Sequence, residues 1–259
     1  MSAALIQQIQ PLEWDAKRKE PFLRLPAPLS HIIVTPPRWS DAEASIEPLN
    51  DPRVFNGFQN PPWPMTIDAA TSWSTKLMGE WDEHLRQLEA AAVNASAGAP
   101  LATFGFCPVR SIRDASTEEQ KYIGDLGLTR TTFEWEADNE PERQKLIEAN
   151  NTLDAGDPAI VWTVGDWVHA DYHRQGIMSA VAKGIITLWA IPRMNARRIM
   201  PSTFEANIGS AKVFTKMGFK HYKYVPHIAQ VKARGDFPAE KRSINVWELK
   251  IDDDGNIEV

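Results

Sequence analysis

A mixed α/β fold, with a mostly antiparallel sheet and helices on both of its faces, is what the sequence predicts, and three observations carry it. Residues Ile160 to Val168 are β-branched and aromatic, and from Gly176 the apolar residues recur at helical spacing, so a strand runs directly into a helix. Arg197 to Phe204, followed by Ile208 to Met217, repeats that passage. The other strand-like runs follow one another across polar turns, which suits antiparallel pairing.

In chain order, Met1 to Pro28 mixes a short apolar start with Lys17-Arg18-Lys19-Glu20 and three later prolines, and is expected to form an arm lying over the domain 29–259. His31 to Thr35 reads as a strand stopped by Pro36-Pro37. Ser40 stands three residues before Glu43, a capping pattern that predicts a short helix through Leu49. Asp51 to Pro64, broken by four prolines and Gly57, must be a loop; its Phe55, Phe58 and Trp63 suit one wall of a site. Thr66 caps a longer helix in which Ala69, Trp73, Leu77, Trp81, Leu85 and Leu88 form an apolar face for the sheet. After a loop over Ala90 to Pro100, Leu101 to Val109 and Tyr122 to Thr129 read as a hairpin. Glu136 to Asp157 has no sheet periodicity and reads as an insertion with one helical turn around Glu142 to Ala149. The strand at Ile160 and the helix from Gly176 to Trp189 follow, then the strand to Phe204 and the helix from Ile208, with Gly218 as its C-cap. Phe219 to Val231 and Ser243 to Lys250 supply two closing strands.

A chain of 259 residues with 43% hydrophobic and 24% charged residues can bury a substantial core. Its net charge of -6 gives no general attraction to nucleic acid or an acidic membrane. No apolar run approaches the roughly 20 residues that span a bilayer. One cysteine, Cys107, rules out an internal disulfide framework and suits a reducing compartment; it reads as a buried apolar residue. The expectation is therefore a cytoplasmic protein with no nucleic-acid or membrane partner, a monomer or a homodimer. Six histidines lie scattered without metal-ligand spacing, so no metal is expected. Ten tryptophans are many for this length, and some are expected to line a pocket.

The join at Gly176 holds the chemistry. Small or polar neighbours leave consecutive backbone N–H groups free to converge at the positive end of a helix dipole, which is how a chain holds a phosphate. His169 and His173 flank that position. If the strand alternates from Trp162, then Trp162, Val164, Asp166 and Val168 share one face, and Asp166 is a carboxylate on a largely apolar surface. Such a group is either a base with a raised pKa or an anchor for a cation.

His173-Arg174-Gln175-Gly176-Ile177-Met178, followed by Asn207-Ile208-Gly209-Ser210-Ala211-Lys212-Val213-Phe214-Thr215-Lys216-Met217-Gly218-Phe219, resembles the GNAT superfamily of acyl-CoA-dependent N-acyltransferases. Within it the likeness is to the ribosomal-protein, RimL-like branch, to which Asp41-Ala42, Asn50 to Val54 and Pro62-Trp63-Pro64 are also similar. The resemblance covers Leu29 to Leu249 apart from the insertion. It implies a twisted, mostly antiparallel sheet with a splayed parallel strand pair, and acetyl-CoA as co-substrate. Gln175, Gly176, Ile177, Met178 and Ser179 would then give backbone N–H groups to the pyrophosphate, with His173 and Arg174 beside it and Lys216 either at the phosphates or in solvent. Val168 would pair with the pantetheine arm, Asn207 would hydrogen-bond it, and Ser210 would approach the thioester sulfur. This chain departs from the family pattern at His173 and Met178, and at Phe214, where many relatives carry a tyrosine that protonates the leaving thiolate.

The implied reaction is acetyl transfer to a primary amine of a small molecule or a protein N-terminus. Ser210 is the nearest donor to the sulfur, Asp166 the first candidate base and Glu134, expected on a neighbouring strand, the second. Phe58, Trp63, Trp135 and Trp162 are expected to wall the acceptor site. The alternative is an acyl-CoA-binding or regulatory module that lacks chemistry, since Phe214 removes the usual acid.

Overall fold

The computed structural model describes residues 3–59, 61–95 and 100–258. The predicted loops 51–64 and 90–100 run in part through residues outside that set. The chain begins with α1 (Ala3–Gln8), β1 (Glu13–Asp15), β2 (Glu20–Arg24) and β3 (Ile32–Thr35), then the short helices α2 (Asp41–Ala44), α3 (Ile46–Asn50) and α4 (Pro52–Phe55). Next come the long α5 (Ile67–Asn94), the strands β4 (Ser111–Asp114) and β5 (Lys121–Arg130), and α6 (Glu140–Thr152). Strand β6 (Val161–Val168) leads to α7 (Ile177–Ile185) and α8 (Ile191–Met194), and β7 (Arg198–Ile199) and β8 (Ser202–Phe204) to α9 (Ile208–Lys216). A hairpin of β9 (Lys220–Val231) and β10 (Glu240–Lys250) closes the chain.

Among the described residues the strands form one sheet in the order β1-β2-β3-β4-β5-β6-β7-β10-β8, with β9 on β10. Every pairing is antiparallel except β6 with β7. The mixed α/β architecture predicted from periodicity is the observed one. Residues 13–24 add two strands to the sheet edge next to β3.

Four local differences have physical causes. Ser40 makes no capping bond; the buried Asp41 carboxylate instead accepts from the Arg38 N–H (2.9 Å), Ser111 Oγ (3.0 Å) and Arg113 Nη2 (2.8 Å), tying α2 to β4. Residues 101–109 form no strand, because Phe104 and Phe106 are both buried and their backbone bonds go to the helical layer. Phe104 N–H donates to the Arg193 carbonyl, and Trp189 Nε1 donates to that of Phe106. The insertion carries a 13-residue helix rather than one turn, and it is bonded to the sheet. Its buried Asn150 accepts from Val161 N–H and donates to the Val161 carbonyl, both at 2.9 Å, as a neighbouring strand would. Between α7 and α8, Ile186–Ala190 widens into a π turn, as expected where Pro192 lacks the N–H that would continue the ladder. The run Ile177–Met194 is apolar enough over its 18 residues to cross a membrane by length and composition, yet here it is the core helix, with Ile177, Val181, Ile185 and Trp189 buried.

Arg193 pins this layer together. It is 2% exposed with no carboxylate partner among the described residues, and its guanidinium donates to the carbonyls of Gln8, Gln10 and Ala102 while stacking on Trp189 and Phe104. Arg193→Leu removes the donor from these three carbonyls, of which Gln8's is buried and those of Gln10 and Ala102 are partly accessible, so urea unfolding is expected to show a loss of about 2 kcal/mol. A loss below about 0.5 kcal/mol would mean that water replaces the guanidinium freely.

Candidate active site

The sheet opens beside β6. Parallel pairing with β7 covers only Val161↔Arg198 and Trp162↔Ile199, and the last bond is Met200 N–H to the Trp162 carbonyl at 2.7 Å. Beyond it, β6 follows β5 as far as Gly124↔Val168, whereas Pro201, which has no N–H to give β6, accepts from Trp247 and leads β8 along β10. The two strands therefore diverge into a V. Since the Trp162 carbonyl faces β7, alternation turns the N–H and C=O groups of Val164, Asp166 and Val168 into the gap. His173 Nε2 contacts the Val168 carbonyl at 3.0 Å. The other five groups have no partner among the described residues.

At the wide end of the V, the turn after β6 delivers the start of α7. Arg174 and Gly176 adopt left-handed φ values of 61° and 79°, a conformation that glycine takes without strain. The first bond of the helix is Ala180 N–H to the Gly176 carbonyl (3.0 Å), so the N–H groups of Gln175, Gly176, Ile177, Met178 and Ser179 donate to no partner among the described residues. No acidic side chain occupies this first turn, and the exposed Arg174 lies beside it without an ion-pair partner among the described residues. Five free donors at a helix N-terminus adjoin five free groups on the neighbouring strand. An anion with a hydrogen-bonding chain attached fits that run of groups.

On the opposite arm of the V, Asn207 caps α9. Its Oδ1 accepts from Ser210 N–H at 3.1 Å, leaving Nδ2 to donate outward. Ser210 is half-buried and its hydroxyl has no partner among the described residues. Phe214, one turn further, is 2% exposed, tilted against Phe219 at 5.1 Å within the main core. It has almost no free surface to offer, whereas Lys216 at the end of α9 is exposed.

Asp166 stands on β6 opposite Leu126, between Val164 and Val168, on the face turned to the main core. It has neither a hydrogen bond nor a salt bridge among the described residues. Desolvation and, secondarily, repulsion from the Asp125 carboxylate push its carboxyl up to about 6. Asp125 itself is gripped by Arg110, with Nε 2.9 Å and Nη2 2.8 Å from its two oxygens. Glu134 lies not on a strand but in a 3₁₀ turn, because β5 ends at Arg130 and Phe133 takes a left-handed φ of 48°. Its carboxylate accepts from Ser202 Oγ (2.6 Å) on β8. Phe133, Trp135 and Val161 belong to a second apolar cluster, so Glu134 and Asp166 attend opposite faces of β6.

The four aromatic residues expected to wall the acceptor site are not brought together. Phe58 and Trp63 sit in the loop after α4, Trp135 is buried in the second cluster, and Trp162, 1% exposed, lies in the main core. The alternation that aims Asp166 at the core side also sends Trp162 there. Trp162 forms part of a separate cavity of about 240 Å³ with Trp81, His84 and Arg110, its Nε1 unpaired. Among the described residues no group of three His, Cys, Asp or Glu side chains is placed to hold a metal. Cys107 is half-buried, and burial pushes its thiol up to about 12, which makes it inert.

A family model for the acetyltransferase (GNAT) domain matches residues 31–220, and the chain belongs to that family. Its fold is shared with several solved structures. RimL, a ribosomal L7/L12 alpha-N-protein acetyltransferase, superposes with a TM-score of 0.57 at 12% identity, covering 93% of this chain and 99% of RimL. Ribosomal-protein-S5-alanine acetyltransferase from Vibrio fischeri gives 0.55 at 19% identity, covering 87% and 96%. Mycobacterium smegmatis RimJ, solved with CoA-disulfide, gives 0.52 at 18% identity, covering 89% and 86%. No curated protein matches the chain in sequence.

Proposed function

We propose that this GNAT protein transfers the acetyl group of acetyl-CoA directly to a primary amine, of a small molecule or a protein N-terminus. The observation that carries this reading is the continuity of free donors: five N–H groups at the start of α7 running into the unpaired main chain of β6. The first set suits a pyrophosphate, and the second suits the amides of a pantetheine arm lying alongside like an added strand. Free N–H groups deeper in the V also suit the oxygen of a thioester carbonyl, whose negative charge grows on attack.

Asp166 is the base in this scheme. An unpaired carboxylate poised near 6 is ionised at neutral pH and can take the proton that the amine nitrogen sheds as its lone pair bonds to the thioester carbon. Glu134 is occupied by Ser202 and stands second. Ser210 hydrogen-bonds the departing sulfur. Ser210→Ala is expected to lower kcat about tenfold, less than a full general acid contributes, with CoA affinity unchanged. An unaltered kcat would remove Ser210 from the chemistry.

The RimL-like branch is supported by Asn207 to Phe219 and by the shared fold. Thiol release from acetyl-CoA, measured with a panel of small amines and peptides bearing free N-termini, tests the proposal. The competing reading, an acyl-CoA-binding module without chemistry, draws on the burial of Phe214 where relatives carry a tyrosine. It prevails if CoA binds and no amine raises thiol release above hydrolysis.

A further inference from the structure

We propose that residues 51–59 form a strap across the open end of the V, and that Arg234 is the positioning residue that sets the strap and through it the place of the acceptor amine. The strap reaches both arms. At one end, Arg53 Nη2 lies 3.6 Å from the Asp171 carboxylate, in the turn that follows β6. Further along, a methyl group built on Gly57 would sit 3.3 Å from Asn207 Nδ2, at the start of α9. A segment touching the residues that follow β6 and those that follow β8 spans the gap between them.

What holds the strap is the tip of the β9–β10 hairpin. Arg234 N–H donates to the Phe237 carbonyl (2.8 Å) and Phe237 N–H to that of Arg234 (3.0 Å), making a tight turn with Gly235 at φ 56°. The Arg234 side chain leaves this turn and enters the strap. It is 3% exposed and has no carboxylate partner among the described residues; Nη1 donates to the carbonyls of Phe55 (2.6 Å) and Phe58 (2.9 Å), and Nη2 to that of Gln59 (2.8 Å). A guanidinium can satisfy three diverging carbonyls at once, which ammonium geometry cannot do as well. The carbonyls of Phe58 and Gln59 have no other donor among the described residues, and that of Phe55 has only Phe58 N–H (3.1 Å) besides, so the side chain decides the shape of the strap. Phe237 stacks edge-on against Phe55 at 5.6 Å, and Arg242 Nη1 adds a bond to the Asn56 carbonyl at 2.7 Å. Neither replaces the three carbonyls that Arg234 gathers.

The phosphate donors of α7 and the free main chain of β6 make no contact with Arg234, so the pin serves the acceptor side of the cleft rather than the nucleotide side. This inference rests on the transferase reading given above. Arg234→Met and Arg234→Lys, compared with the unaltered protein, test it through amide hydrogen exchange, CoA titration and steady-state kinetics with whichever panel amine turns over. In Arg234→Met, amides of residues 53–59 are expected to exchange at least about tenfold faster while those of α7 do not change. CoA affinity is expected to stay within about twofold, and KM for the amine to rise about tenfold with kcat falling much less. Arg234→Lys should fall between the two, since one ammonium recovers part of the bonding. Unchanged exchange at 53–59, or an amine KM equal to that of the unaltered protein, overturns the role of Arg234. If the unaltered protein acetylates no amine, the transferase reading fails instead, and the exchange rates still decide whether Arg234 pins the strap.

Discussion

Replacing Asp166 by Asn is expected to lower kcat/KM for amine acetylation at pH 7 by about 100-fold, the effect of losing a positioned base, and at the same time to make the protein more stable. The two signs come from one cause. In the folded chain the Asp166 carboxyl is desolvated and, secondarily, feels the Asp125 charge, so its pKa is pushed up to about 6 from 3.8. A carboxyl whose folded pKa is raised favours the folded state while it is protonated. That contribution is complete below about pH 4 and is lost as pH rises through about 6, leaving ionised Asp166 a liability on the order of 2 kcal/mol at neutral pH. Asn carries no charge, so the gain in Tm should be full at pH 7 and vanish near pH 4. The rate should show the complement: kcat/KM of the unaltered enzyme falls below about pH 6, and that limb is absent from the residual rate of Asp166→Asn. A variant less stable at pH 7 would show that the carboxylate has a partner that stabilises it, and an unchanged rate would leave Asp166 outside the chemistry.

Ser179→Asp separates the same two quantities at the phosphate end. Ser179 lies in the first turn of α7, which has no acidic side chain of its own. An Asp there interacts favourably with the helix dipole and the free N–H groups, by about 0.5 kcal/mol, so thermal stability should hold or rise slightly. The same charge competes for the donors that would hold a pyrophosphate and repels it, and CoA affinity should fall about 30-fold or more. Equal CoA affinity in Ser179→Asp would locate the phosphates elsewhere.

Much of this was legible in the residues, for reasons that can be named. Ile160 to Val168 and Gly176 onward change period in mid-course, and periodicity reports a strand feeding a helix whatever surrounds it. Thr66 was readable as a cap, and its Oγ1 accepts from Ala69 N–H at 3.3 Å. The alternation of β6 placed Asp166 and Trp162 on one face, and that face is the one turned to the main core. The same period cannot say which face is solvent, so Trp162 read equally well as part of an acceptor wall.

Long-range partners left no local trace. Arg234 stands in a polar stretch, Ala233 to Arg242, that resembles any solvated turn, and only the fold brings it to Phe55, Phe58 and Gln59. Arg110 and Asp125 are likewise joined only by the pairing of β4 with β5. Leu101 to Val109 shows the converse: its apolar content is real, but Phe104 and Phe106 spend it on the helical layer instead of a ladder. Glu134 was assigned to a strand because nothing in the sequence marks the left-handed turn at Phe133.

The central claim is that the V between β6 and β8, with the start of α7 at its mouth, is a CoA site. Titration calorimetry of CoA into the unaltered protein tests it most directly. One site per chain with a dissociation constant in the micromolar range, exothermic as expected for a hydrogen-bonded phosphate, is the predicted result. No saturable heat at millimolar CoA would contradict it.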